Sequence, residues 1–137
     1  MGDDILSKAT AVEADVVGFS QSTSWAKMKT QAGVDVFSQP SPHFDGYMYR
    51  YTCEIDAPCH VVYEVLKPPK TSAERLAWDK SIAGYERVHT YKENLFIAVI
   101  VTPTVFTGLI SQREFLDLFT FRTIDTDSSQ THWVFGK

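Results

Sequence analysis

A chain of 137 residues with 44% hydrophobic and 22% charged side chains has the make-up of one folded domain and falls outside the disordered class. Its formal net charge is −4, and no basic run appears; Lys67 and Lys70 merely flank two prolines. Nucleic acid is therefore excluded as a main partner, as is a purely electrostatic hold on anionic membranes.

In chain order, residues 3–20 read as an amphipathic helix. Ile5, Ala9, Val12, Val16 and Phe19 recur at the spacing that makes one stripe. Asp3 and Asp4 sit at the end where the helix dipole favours negative charge. This acidic start lacks the apolar core of a signal peptide, and Leu6 occupies the position where myristoylation of Gly2 needs serine or threonine. Gly18 and the polar residues after Phe19 end the helix.

A β meander follows. Residues 25–30 alternate Trp25, Lys27 and Lys29 against Ala26 and Met28. Gln31-Ala32-Gly33 turns the chain, and residues 34–38 form a second strand, closed by a loop with Pro40 and Pro42. Residues 47–56 carry the clearest alternation. Tyr47, Tyr49, Tyr51, Cys53 and Ile55 share one face; Met48, Arg50, Thr52, Glu54 and Asp56 share the other. One face is expected to be buried. The tyrosine face reads as core, with a ligand wall that needs hydroxyls as the alternative.

Asp56-Ala57-Pro58 signals a helix start, with Val61, Val62, Val65 and Leu66 as its inner face and Lys67-Pro68-Pro69-Lys70 as its end. Thr71-Ser72-Ala73-Glu74 is a capping box opening a second short helix that runs to about Ile82. From Gly84 the chain returns to strands. Residues 85–91 and 95–102 form a hairpin around Lys92-Glu93-Asn94, residues 114–124 form a long strand, residues 125–130 turn, and residues 131–135 begin another strand. Helix, three strands, two helices, then strands specifies an α+β fold with a mostly antiparallel sheet. The apolar run Leu95–Val101 is far too short to span a bilayer.

Chemistry is sparse. Cys53 and Cys59 read as free thiols in a reducing compartment, and the histidines at 43, 60, 89 and 132 match no zinc spacing. There is no nucleophile elbow, metalloprotease helix, phosphate loop or dinucleotide fingerprint, so neither an enzyme, a metal nor a cofactor is expected. A cytoplasmic location fits. Asp117 shares a strand face with Phe115, Phe119 and Phe121. A carboxylate there is either satisfied by a strand arginine or backbone amides, or it anchors a ligand head group. Trp78 reads as a core anchor, and Asp79 beside it either caps local structure or points into a cavity.

Several spaced motifs carry a family resemblance. Phe44-Asp45-Gly46-Tyr47-Met48-Tyr49-Arg50, the stretch Ala77-Trp78-Asp79-Lys80, and Leu109-Ile110-Ser111-Gln112-Arg113-Glu114-Phe115 resemble START domains. These are lipid-transfer modules related to steroidogenic acute regulatory protein, and the chain is most similar to the small stand-alone cytosolic members. The resemblance runs from about Trp25 to Trp133. It implies an α+β helix-grip fold, a curved antiparallel sheet with an N-terminal helix and two short connecting helices, over residues 1–137. It also implies final strands and a C-terminal helix closing a lipid tunnel; these would lie beyond Lys137, so the chain reads as a START-like domain incomplete at its C-terminus.

By the same resemblance, Asp79, Ile100, Thr102, Phe106, Leu109, Asp117 and Phe119 are the lipid-binding residues. Val105, Phe106, Leu109 and Ile110 form a lid that meets the membrane, its far end pinned by a charge-assisted bond from Arg113. Ile100 and Phe119 fall where sterol carriers hold an acid and a base, and are expected to face each other across the tunnel. Their loss leaves Asp79 and Asp117 as the acids able to orient a ligand. The implied function is binding and non-vesicular transfer of a sterol, a bile-acid-like molecule or another apolar lipid, with transient contact to a membrane surface. The alternative is a regulatory or protein-interaction form without transfer.

Overall fold

The computed structural model describes residues 2–126 and 129–136. The chain packs as two compact units: residues 17–58, and residues 1–16 together with 59–137. Helix α1 (Gly2–Gln21) begins in the second of these and ends in the first. Its buried stripe is the one the spacing predicts, with Ala9 and Val12 buried and Ile5, Val16 and Phe19 half-buried.

The 17–58 unit is an antiparallel sheet of β1 (Ala26–Gln31), β2 (Val34–Pro40) and β3 (Tyr47–Thr52), in that order. Ala32 and Gly33 both take positive φ, 52° and 76°, which is the two-residue hairpin geometry that matches strand twist. Trp25 Nε1 donates to the Phe19 carbonyl at 2.7 Å. The Arg50 guanidinium lies over the Trp25 and Phe37 rings at 5.0 and 4.6 Å. Strand β3 is shorter than its alternation predicts. Thr52 pairs with Asp35, next to the start of β2 at Val34, so residues 53–56 run out of partner. Ala57 N–H then bonds the Ile55 carbonyl at 2.8 Å and turns the chain.

In the larger unit β4 (Gly84–Lys92), β5 (Leu95–Val101), β6 (Glu114–Thr126) and β7 (Ser129–Gly136) form a second antiparallel sheet in sequence order. The fold is α+β with antiparallel pairing throughout; its division into two sheets is not visible in strand spacing. One face of the second sheet carries buried Leu95, Thr120 and Phe135, in register across three strands. From α1, Glu13 reaches this face: it accepts from Thr120 Oγ1 at 3.4 Å and pairs with Arg122 at 3.2 Å. The other face holds the cluster Tyr85, Phe96 and Ala98, against which Ile82, Ile100, Phe119 and Phe121 pack.

Helices α2 (Cys59–Leu66) and α3 (Ser72–Trp78) connect the sheets in sequence. The capping box is present, with Glu74 N–H donating to Thr71 Oγ1 at 3.2 Å and Thr71 N–H donating to Glu74 Oε2 at 3.3 Å. Helix α3 ends at Trp78, short of Ile82, because Asp79 leaves the helical region and caps it. Two burial expectations are corrected. Trp78 is exposed rather than a core anchor, and the Arg75 guanidinium covers one face of its ring at 4.6 Å. On α2, Val61, Val65 and Leu66 are exposed; the packed residues are Val62 and Tyr63, the latter edge-on to Phe121.

The α2–α3 link is held from below by β4. Arg87 donates from Nε to the Pro69 carbonyl at 2.8 Å and from Nη2 to the Pro68 carbonyl at 2.6 Å. Tyr85 adds its hydroxyl to Pro69 at 2.8 Å. The Arg87 guanidinium lies 3.7 Å from the Phe96 ring centre. Two prolines cannot donate backbone bonds, so the link accepts from the sheet through their carbonyls, and Lys70 adds an exposed ion pair to Glu93 at 3.5 Å.

Candidate lipid-binding face and loop

Register decides what the phenylalanine face of the larger sheet presents. Ile100 pairs with Phe115, Ala98 with Asp117 and Phe96 with Phe119. Asp117 is therefore flanked along β6 by Phe115 and Phe119, and faces Ala98, which has nothing to donate. Of the two readings of Asp117, the structural one finds no support: the carboxyl has no hydrogen-bond or ion-pair partner among the described residues. Burial pushes its carboxyl above the usual 3.8.

The other acid behaves in the opposite way. Asp79 accepts from Ser81 Oγ at 2.5 Å and Ser81 N–H at 3.0 Å, and pairs with Arg75 Nη2 at 2.7 Å. The Ser81 hydroxyl, then its backbone N–H and the Arg75 charge, hold the Asp79 carboxyl below the usual value against the opposing effect of burial. With its side chain 11% exposed and its oxygens occupied, Asp79 takes the capping alternative and closes the end of α3 instead of standing open to a ligand.

Ile100 and Phe119 share the face but do not meet. Phe119 lies four residues beyond Phe115, the partner of Ile100, a separation of about 13 Å along the strand. The expectation that they face each other across a cavity is corrected by this register. Phe119 stacks instead on Phe96, ring centres 5.5 Å apart.

The 102–113 segment closes on itself through its backbone. Thr102 N–H bonds the Arg113 carbonyl at 2.9 Å, and Arg113 N–H bonds Thr102 Oγ1 at 3.1 Å. Val105 and Ile110 exchange two bonds of 3.1 and 3.2 Å. The Arg113 guanidinium makes no hydrogen bond or ion pair among the described residues, so the pin expected of it belongs to its backbone. At the tip, a 3-10 turn (Phe106–Gly108), Phe106 and Thr107 hold φ of 54° and Gly108 93°. Left-handed backbone costs a non-glycine residue about 1 kcal/mol, so the tip is a strained, sharp projection. It carries Phe106 at 71% and Leu109 at 85% exposure, with Val105 and Ile110 also exposed.

Two depressions lie elsewhere. In the 17–58 unit the tyrosine face is open, not core: Tyr47, Tyr49 and Tyr51 are 59%, 54% and 66% exposed. Tyr49 and Tyr51 line a hollow of about 480 Å³ with Met28, Lys29, Val34 and Val36. In the larger unit a hollow of about 440 Å³ lies beside the α2–α3 link, bordered by Trp78, Arg87 and Phe121. Arg87 and Tyr63 escape sequence reasoning, because their importance depends on strands and helices far away in the chain.

Comparison with known proteins matches residues 9–135 to the family described as START domain. Human StAR-related lipid transfer protein 6 is 31% identical over 116 residues, 84% of this chain and 51% of that protein. Human StAR-related lipid transfer protein 5 is 27% identical over 118 residues, 86% of this chain and 52% of that protein. The chain thus spans about half the length of the curated relatives it matches. A solved structure of human StAR-related lipid transfer protein 5 superposes with a TM-score of 0.80 at 25% identity, covering 91% of this chain and 59% of that one.

Proposed function

The chain belongs to the START domain family, and from that premise we propose that it binds an apolar lipid, sterol-like in shape, and carries it between membranes without vesicles. Its relatives are named as lipid transfer proteins, which supports the reading. The observation that carries it is the 102–113 loop, where Phe106 and Leu109 stand in solvent on a tip clamped by backbone bonds. A soluble surface gains nothing from such side chains, whereas a bilayer interface takes them up. Ile100, Thr102, Asp117 and Phe119 then line the lipid's path from the loop, and Val105 and Ile110 form the base of the lid. Affinity comes from burying hydrocarbon, roughly 25 cal/mol per Å² before ordering costs. With the acid–base pair of the sterol carriers replaced by Ile100 and Phe119, shape dominates and discrimination among sterols is poor. The work is non-catalytic and set in the cytoplasm.

Phe106→Asp tests the loop. A charge at the tip penalises entry into the bilayer but leaves the sheet face untouched. Transfer of a fluorescent sterol between vesicles should slow about tenfold or more, the equivalent of 1.4 kcal/mol, while equilibrium binding changes little. Equal losses in both assays would place Phe106 in the cavity wall and remove the lid from the reading.

A further inference from the structure

Asp117 is half-buried among side chains that offer its carboxyl no donor. From β5 the face receives Phe96, Ala98 and Ile100, none of them titratable or able to donate. From β4 it receives Tyr85 and Arg87, opposite Ile100 and Ala98. Both turn away: the tyrosine hydroxyl and the guanidinium go to the Pro68 and Pro69 carbonyls. From α2 it receives Tyr63, whose ring meets Phe121, four residues further along β6. No cation or N–H among these is directed to the carboxyl. An ionised carboxylate here lacks the donors that would replace water, whereas a protonated one brings an O–H of its own.

Resting on the lipid-binding reading, we propose that Asp117 in its protonated form is a proton-donating anchor, and that the lipid it selects there carries an acceptor oxygen, a ketone or ester carbonyl, at its polar end rather than an amine. The carboxyl O–H donates to that oxygen, and neither partner is charged, so neither pays to leave a counter-ion behind in water. An amine reverses the requirement, since it needs the carboxylate ionised. Burial raises the carboxyl, which extends the protonated form to higher pH. Carbonyl ligands should therefore hold best below the midpoint of Asp117 and weaken as pH rises through it, while amines gain.

The test uses the 137-residue chain and two steroid probes of one skeleton, a 3-ketone and a 3-amine, titrated by tryptophan fluorescence across pH. The Asp117 carboxyl is followed in parallel by carbon NMR. The expected result is a midpoint above the usual 3.8 and a ketone bound about fivefold tighter below that midpoint than above it, the worth of one hydrogen bond. Asp117→Asn, whose amide donates at every pH, should bind the ketone with no pH dependence; Asp117→Leu should lose the ketone's advantage. A midpoint at or below the usual value, equal binding of both probes at every pH, or a ketone preference that survives Asp117→Leu overturns the proposal. Failure of the unaltered chain and of Asp117→Asn to bind either probe at any pH sinks the lipid-binding reading itself, and the anchor with it.

Discussion

Two aspartates with the same intrinsic chemistry take opposite roles because their neighbours differ. Asp79 is surrounded by donors, so its folded pKa lies below the unfolded value. Its stabilising effect is complete above that unfolded value and is lost as pH falls through the folded one. Asp79→Asn should cost about 1–3 kcal/mol in urea denaturation at neutral pH, the worth of hydrogen bonds to a charged group. The gap from the unaltered chain should narrow in acid, below pH 3.8. Asp117 runs the other way. Its folded pKa is raised by burial, so its contribution is most favourable below the unfolded value and becomes a cost as pH rises through the folded one. Asp117→Asn should therefore melt at a higher temperature than the unaltered chain at neutral pH, with no advantage in strong acid. A drop at neutral pH would mean that the carboxylate is held by donors after all.

The α2–α3 link shows how one side chain can hold an element that has little else to hold it. α2 and α3 bury few apolar groups, and the prolines between them offer no N–H. Arg87 supplies two bonds and lies across Phe96, so its removal strips the link of its main attachment to the sheet. Arg87→Met keeps the apolar stem and loses the guanidinium. It should cost about 2–3 kcal/mol, and trypsin should cut at Lys70-Thr71 faster. Unchanged cleavage would show that the tyrosine bond from Tyr85 suffices. The capping box of α3 was readable as a four-residue pattern, and the structure has both of its reciprocal bonds. The Arg87 clamp was not readable, because its partners lie 18 and 19 residues earlier in the chain.

Across the whole molecule the two units differ in how much core they possess. Within the 17–58 unit only Val36 among the apolar side chains is buried, whereas the larger unit buries Tyr85, Leu95, Phe96, Ala98 and Phe135 among others. The interior strands β2 and β5 are each hydrogen-bonded on both sides, so bonding alone does not rank them. Burial does, and local opening follows it. Amides of β2 should exchange with deuterium at least about tenfold faster than those of β5, a difference of 1.4 kcal/mol or more in opening free energy. Identical protection would mean that the two sheets open as one cooperative body.

The amino-acid sequence by itself determined the local features: the stripe of α1, the Ala32-Gly33 hairpin, the capping box, the alternation along β6 and the α+β class. Each rests on neighbours within a few residues, where backbone period and turn chemistry act directly. It also placed Asp117 among phenylalanines, since period-two alternation is local. Only the tertiary structure decided which side of an alternating strand is covered, and so left Tyr47, Tyr49 and Tyr51 open where core was expected. Only it decided that Asp79 is satisfied while Asp117 is not, and that Ile100 and Phe119 stand apart. Burial, partners and register depend on which strand lies opposite, and that is settled by pairing between residues distant in the chain, such as Ala98 with Asp117, to which no local pattern is sensitive.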